Sequence, residues 1–290
     1  MNAAKTAVMI DSGCDLSEEL INKYDIKVLR LKVMYGSTIY NDGLDIDPLE
    51  VYKRFPGEIP TTSTPNMMEV LDLLQEIHAE GYERVIAITI SSALSGTFNA
   101  IRLAFEEAED DADLKHLETF AFDTKNISIG SGMFAWYAAK ELEAGASFKE
   151  VTQALERKIH DSKVYFYMDT LDYLKHGGRI SPAVAIVGKA LNLKPIISCT
   201  PFGTYYTVVK IRGHRKGIES LIELATAHCE AGKTKYGLMN GGAPSVADEV
   251  EPVLLENGKG AEIIVKKQIT ATMAIHTGPG LIGIGVFQDD

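Results

Sequence analysis

Two hydroxyl-rich stretches carry the clearest chemical potential in this chain. Ser91-Ser92-Ala93-Leu94-Ser95-Gly96-Thr97 follows the β-branched apolar run Arg84–Ile90. Pro60-Thr61-Thr62-Ser63-Thr64-Pro65 precedes Val70, Leu71, Leu73, Leu74 and Ile77, apolar residues at helical spacing. The first stretch joins a buried strand to a helix, and the second reads as a helix start with Thr64 as its cap and Pro65 in its first turn. At a helix start the backbone N–H groups lack partners and the dipole favours negative charge, so hydroxyls gathered there suit a carboxylate or a phosphate. Plain helix capping is the competing role of the same side chains.

A serine nucleophile is the sharper alternative. Leu94-Ser95-Gly96 is not the Gly-x-Ser-x-Gly elbow, and no residue order marks out a base and an orienting acid, so a hydrolase triad is not expected. An enzyme using Ser95 as a nucleophile or phosphate site stays open beside a binding protein. Arg179 and His176 flank Gly177-Gly178, and His276 precedes Thr277-Gly278-Pro279-Gly280. Arginine reads carboxylate or phosphate with two parallel hydrogen bonds, and histidine titrates near neutral pH. Taken alone, Arg179 reads rather as a helix C-terminal charge or a surface ion pair, and His276 as a loop histidine bonded to backbone. Asp11, Asp15, Asp42, Asp45 and Asp47 lack the ligand spacing of a calcium loop and read mostly as caps and turns, and no metal site is expected. Asn240-Gly241-Gly242-Ala243-Pro244-Ser245 lacks the Lys-Ser/Thr of a phosphate-binding loop and reads as a strand-to-helix turn. The remaining histidines, at 78, 116, 160, 214 and 228, carry no assigned role.

The elements that must position these groups alternate. Strands are expected at Thr6–Ile10, Ile26–Val33 (with Ser37–Tyr40 beside it), Arg84–Ile90 and Glu118–Phe122. Helices are expected after Asp15 (with Glu18 as its box partner), from Asp47-Pro48, over Ser95–Glu109, from Ile129 to Ala144, and from Ser147 to about His160. That order implies a mostly parallel sheet with helices on both faces. The second half differs. A strand at Lys163–Met168 and a helix from Ser181-Pro182 precede Lys194–Thr200 and Thr204–Ile211, which flank the hairpin signal Pro201-Phe202-Gly203. Strands near Thr234–Met239, Glu262–Gln268 and Leu281–Phe287 then alternate with helices. The fold class is α/β with two domains: an N-terminal three-layer α/β/α domain over 1–162 and a C-terminal mixed α+β domain over 163–290.

Of the 290 residues 46% are hydrophobic, enough for a full core, and the net charge of −11 opposes binding to nucleic acid or to an anionic membrane surface. Three widely spaced cysteines without a CxxC fit a reducing cytoplasm. Lys5 and Asp11 interrupt the N-terminus too early for a signal-peptide core. No apolar run nears the roughly 18 residues of a membrane span. A cytoplasmic protein without stable membrane insertion is expected.

Several stretches together resemble the DegV family of bacterial fatty-acid-binding proteins. They are Asp11-Ser12 with Asp15-Leu16, Thr62-Ser63-Thr64-Pro65, and Ser91 through Thr97. Asp169-Thr170-Leu171 with Leu174, Gly177-Gly178-Arg179-Ile180, and His276-Thr277-Gly278-Pro279-Gly280 follow. The ordered set spans nearly the whole chain and is specific, with Asn66 standing where the family usually carries serine. The resemblance implies a non-enzymatic carrier without a cofactor that holds one long-chain fatty acid of sixteen to eighteen carbons. Its carboxylate would lie on Thr62, Ser63, Ser95 and Gly96, and its tail in a buried tunnel. It also implies a role for Arg179 and His276 in handling the head group. Hand-over to a separate fatty acid kinase, which makes acyl phosphate for phospholipid synthesis, is implied as well. The fold that the resemblance shares with a dihydroxyacetone kinase domain keeps a phosphotransfer alternative alive.

Overall fold

A computed structural model describes residues 2–179, 193–227 and 229–289. The helix expected from Ser181-Pro182, and His228, lie outside the described residues.

β1 (Thr6–Asp11) and β6 (Arg84–Thr89) are apolar runs buried almost throughout, and they pair in parallel. With β2 (Lys27–Leu29) and β7 (Glu118–Asp123) they form a parallel sheet of order β2-β1-β6-β7. Strands apolar on both faces need helices on both sides. One side is covered by Met67–Ala79 and Thr97–Asp110, which bury Val70, Leu74, Ile77, Ile101 and Phe105. The other is covered by Ile129–Glu143. This helix has 12 of its 15 residues buried, Phe134, Trp136 and Tyr137 among them, so it has no solvent stripe and must be covered all round.

Its second cover is a six-stranded mixed sheet, order β10-β9-β8-β13-β11-β12. The strands are β8 (Ser162–Tyr167), β9 (Lys194–Cys199), β10 (Tyr205–Ile211), β11 (Thr234–Asn240), β12 (Glu262–Gln268) and β13 (Ile282–Gln288). The helices His214–Thr226 and Pro244–Asn257 close its outer face. The chain is therefore α/β: a three-layer N-terminal half with a parallel sheet, and a mixed C-terminal half that shares the central helix. β9 and β10 form the antiparallel hairpin expected around Pro201-Phe202-Gly203. No helix among the described residues is long and apolar enough to cross a membrane.

Three local expectations are corrected. The apolar run over residues 26–33 is not one strand. It breaks at Arg30-Leu31, where the Leu31 N–H donates to Ser12 Oγ and the Asp42 N–H donates to the Leu31 carbonyl. Those bonds turn the chain into a separate antiparallel sheet, β4-β3-β5, of β3 (Lys32–Tyr35), β4 (Thr38–Asn41) and β5 (Thr61–Ser63). Second, Thr64 does not cap the following helix. Asn66 does, in a reciprocal capping box with Glu69, because residues 61–63 are spent as a strand and the helix begins later. Third, Asp15 is not an N-cap. Ser17 caps Glu18–Tyr24, while Asp15 turns inward at φ +52° and is buried.

The central helix meets the mixed sheet through two glycines. Gly237 on β11 and Gly285 on β13 are direct cross-strand partners. A Cβ added at either would sit 2.2 or 2.7 Å from the Ile129 side chain. Gly237→Ala is therefore expected to destabilise the fold by about 1–3 kcal/mol through overpacking, read as a lower urea midpoint at unchanged m-value.

Candidate functional site

The ends of β1 and β6 converge with β5 and with the short helix Ala271–Thr277. There the structure encloses a cavity of about 510 Å³, solvent at its mouth included. Thr62, Ser63, Ser95, Arg179 and His276 all line it, together with Thr64, Tyr205 and Thr272. Gly96 does not. It lies beside the cavity, where an added Cβ would be 3.5 Å from Thr64 Cγ2. The two hydroxyl stretches thus meet, though not as two helix starts: Thr62 and Ser63 stand on β5, paired with Val33 and Lys32.

Ser95 serves the helix as well as the cavity. Its Oγ lies 2.8 Å from Thr97 Oγ1 and accepts from the Thr97 N–H at 3.3 Å, while Gly96 at the N-cap has no side chain to offer. No histidine or carboxylate bonds Ser95 Oγ among the described contacts; its partner is another hydroxyl. From outside, the tip of the β9–β10 hairpin braces the loop. Gly203, at φ +80°, packs so closely that a Cβ there would lie 1.9 Å from Ser91 Oγ.

The opposite wall comes from Ala271–Thr277. Thr272 and His276 are one turn apart and share the cavity-facing side. Both are buried, and Thr272 Oγ1 and His276 Nδ1 have no hydrogen-bond partner among the described residues. The His276 ring fits only because residue 177 is glycine, since a Cβ there would lie 2.0 Å from Nδ1. Arg179 stays at the exposed rim, its guanidinium donating to the Gly177 carbonyl at 2.8 Å. Burial first, and the Arg179 charge second, hold the imidazole down at about 4, so it is neutral at pH 7.

Inward from these groups the lining turns apolar. A second cavity of about 350 Å³, solvent included, shares Ile127, Tyr205, Met273 and Thr277 with the first and is lined further by Phe166, Ile197 and Leu281. The arrangement is a polar mouth backed by an apolar interior, the form of a site for an amphiphile with an anionic head.

Behind the mouth lies a buried carboxylate network. Asp11 accepts from the N–H groups of Gly13 and Ile90, both at 2.9 Å. Asp42 accepts from Ser12 Oγ and from the Thr272 N–H, both at 2.8 Å. Asp15 accepts from the Thr270 N–H at 2.8 Å and from Ser128 Oγ. Burial pushes the Asp11 carboxyl up to about 7 and Asp15 up to about 6. Among the described residues no group of three or more His, Cys, Asp or Glu is arranged to hold a metal ion.

A family model described as "Uncharacterised protein, DegV family" matches residues 5–289. The chain belongs to the DegV family. A DegV domain-containing protein of Clostridium perfringens is 36% identical over 288 residues, covering 98% of this chain and 99% of that protein. Among solved structures, a DegV family protein from Thermus thermophilus, described by its fatty acid binding, superposes with a TM-score of 0.88 at 30% identity, covering 99% and 100% of the two chains. A stearic-acid-binding protein from Eubacterium ventriosum superposes with a TM-score of 0.89 at 26% identity, covering 97% of each chain.

Sequence reasoning passed over Thr272, Tyr205 and the inward role of the aspartates. Thr272 had a usable signal, a hydroxyl four residues before His276 on one helical face. Tyr205 had none, because its place depends on how the hairpin docks.

The buried histidine sets a pH dependence. Between pH 6.5 and about 4 the unfolded chain binds a proton that folded His276 refuses. The stability this residue contributes is thus present above pH 6.5 and lost as pH falls through 4. His276→Gln is expected to shrink the acid-side loss of stability by on the order of 1–3 kcal/mol, measured as urea midpoints at neutral and acidic pH.

Proposed function

We propose that this protein binds one long-chain fatty acid, with the carboxylate on the hydroxyls of Thr62, Ser63 and Ser95 and the tail in the apolar chamber behind Tyr205. The observation that carries the reading is the adjacency of two cavities that share Ile127, Tyr205, Met273 and Thr277: one lined by the hydroxyls of Thr62, Ser63 and Ser95, the other by apolar side chains. The fatty acid binding described for the Thermus and Eubacterium relatives supports it. Neutral His276, whose Nδ1 has no partner among the described residues, and Arg179 at the rim supply further contacts for an anion.

The energetics favour the tail as the source of affinity. Burying a sixteen-carbon chain at ~0.8 kcal/mol per methylene gives roughly 12 kcal/mol as an upper bound, from which lost ligand freedom subtracts several. Each hydrogen bond to the charged head adds about 1.5–3 kcal/mol. The hydroxyls therefore select an acid over a neutral lipid and fix which end faces out. Ser63 and Arg179 are exposed, so the head group sits at the reachable end. That polarity fits presentation of the carboxylate to a separate fatty acid kinase, with the carrier itself performing no chemistry. Ser95 bonded to Thr97, with no base as its hydrogen-bond partner, argues against its use as a nucleophile.

Solvent extraction of denatured protein purified from bacteria, followed by mass spectrometry, is expected to yield a stoichiometric C14–C20 fatty acid. Its absence, together with no uptake of added acid, would refute the carrier reading. Ser95→Ala is expected to weaken fatty acid binding by about 1–3 kcal/mol, a rise in Kd of roughly five- to hundredfold by calorimetry, with the thermal midpoint lowered by a few degrees through the lost bond to the Thr97 N–H.

A further inference from the structure

We propose that Asp11, Asp15 and Asp42 are positioning residues of the ligand site, and that their network takes up a proton when an anionic head group enters beside it. The inference rests on reading the cavity as a carboxylate site.

The network touches the cavity through the backbone of its walls. Ile90 and Thr272 both line the mouth, and their N–H groups are held by Asp11 and Asp42. Asp15 holds Thr270, the residue before the helix that carries Thr272 and His276. The aspartates come from the first 42 residues and the helix from near the other end, so these bonds set the spacing between the two walls.

All three carboxylates are buried. The charged and titratable groups facing them are few. Cys14 lies in the same turn, and Lys267 on β12 acts on Asp15 while its Nζ donates to the Leu16 carbonyl. Arg30 directs its guanidinium at the backbone carbonyl of Asp42. Tyr52 faces Asp15 from the helix Pro48–Arg54, and His276 stands at the far end of Ala271–Thr277. Ser12 and Ser128 add hydroxyl donors. A ligand carboxylate beyond Ile90 and Thr272 adds negative charge to a site of low dielectric where the neighbouring carboxyls already act to raise Asp11. Burial raises the Asp11 carboxyl to about 7 and Asp15 to about 6, so both titrate within reach of neutral pH and the added field favours a proton on the network. Linkage then requires tighter binding at lower pH.

The test uses the delipidated full chain with tetradecanoate below its aggregation concentration. Tetradecanol is the uncharged control. Each is titrated by calorimetry at about pH 6, 7 and 8 in two buffers of different ionisation enthalpy. The expected result is proton uptake with tetradecanoate and none with tetradecanol, the Kd for the acid rising about three- to tenfold per pH unit. Uptake should persist in His276→Gln and fall in Asp42→Asn. Ser12→Ala keeps every charge but removes a donor to the ionised network, so it should move the midpoint to higher pH. Binding of the acid without proton uptake by the wild type overturns the inference while leaving the carrier reading intact. Uptake that disappears with His276→Gln overturns it equally. Failure of tetradecanoate to bind at all overturns both.

Discussion

A helix with no polar stripe cannot lie on a surface, and the rest of this structure follows from where Ile129–Glu143 is buried. Its two covers are sheets of different kinds, one parallel and one mixed. Because a single helix fills the space between them, the ends of β1 and β6 are fixed against the far side of the molecule. The close seat of Ile129 on Gly237 and Gly285 sets that distance to within a methyl group. The cavity occupies the gap left beside the helix, where strand ends of the first half meet a short helix of the second.

Hydrogen bonds to buried carboxyl groups, beside apolar contact, hold that gap. Buried carboxylates are expensive unless each oxygen finds a donor. Here four of the six donors are backbone N–H groups, and two of them, on Ile90 and Thr272, belong to residues that line the cavity. The cost of burial is offset by bonds that also define the site. Among the described residues no cation is hydrogen-bonded to the hydroxyls of Ser63 or Ser95, which leaves them suited to an incoming anion.

Much of this was legible in the sequence, and the reasons for the remainder are physical. The run Arg84–Ile90 announced a strand because its β-branched residues are apolar on both faces. Ser147 with Glu150 announced a helix start, and the capping box is present. Such signals are local. β5 carried none: a three-residue strand acquires its identity only by pairing with β3, nearly thirty residues away. Asp15 carried a misleading one, since a glutamate three residues later imitates a capping box. Its actual partners are Ser128 and Thr270, 113 and 255 residues distant. The motif resemblance drew attention to Asp11 and Asp15 without giving them a task, and the task is visible only when both ends of the chain are folded together.

The position of β13 bears on how the chain comes to be folded during synthesis. It is the last strand described, yet it lies inside the mixed sheet, between β8 and β11. A ribosome releases β8 long before β13, so β8 waits with an unpaired edge, as does β11. The parallel sheet, whose strands all lie before residue 124, has no such wait. Emergence from the ribosome therefore separates two folding events in time, and the cavity, whose lining draws on both, is completed only by the second.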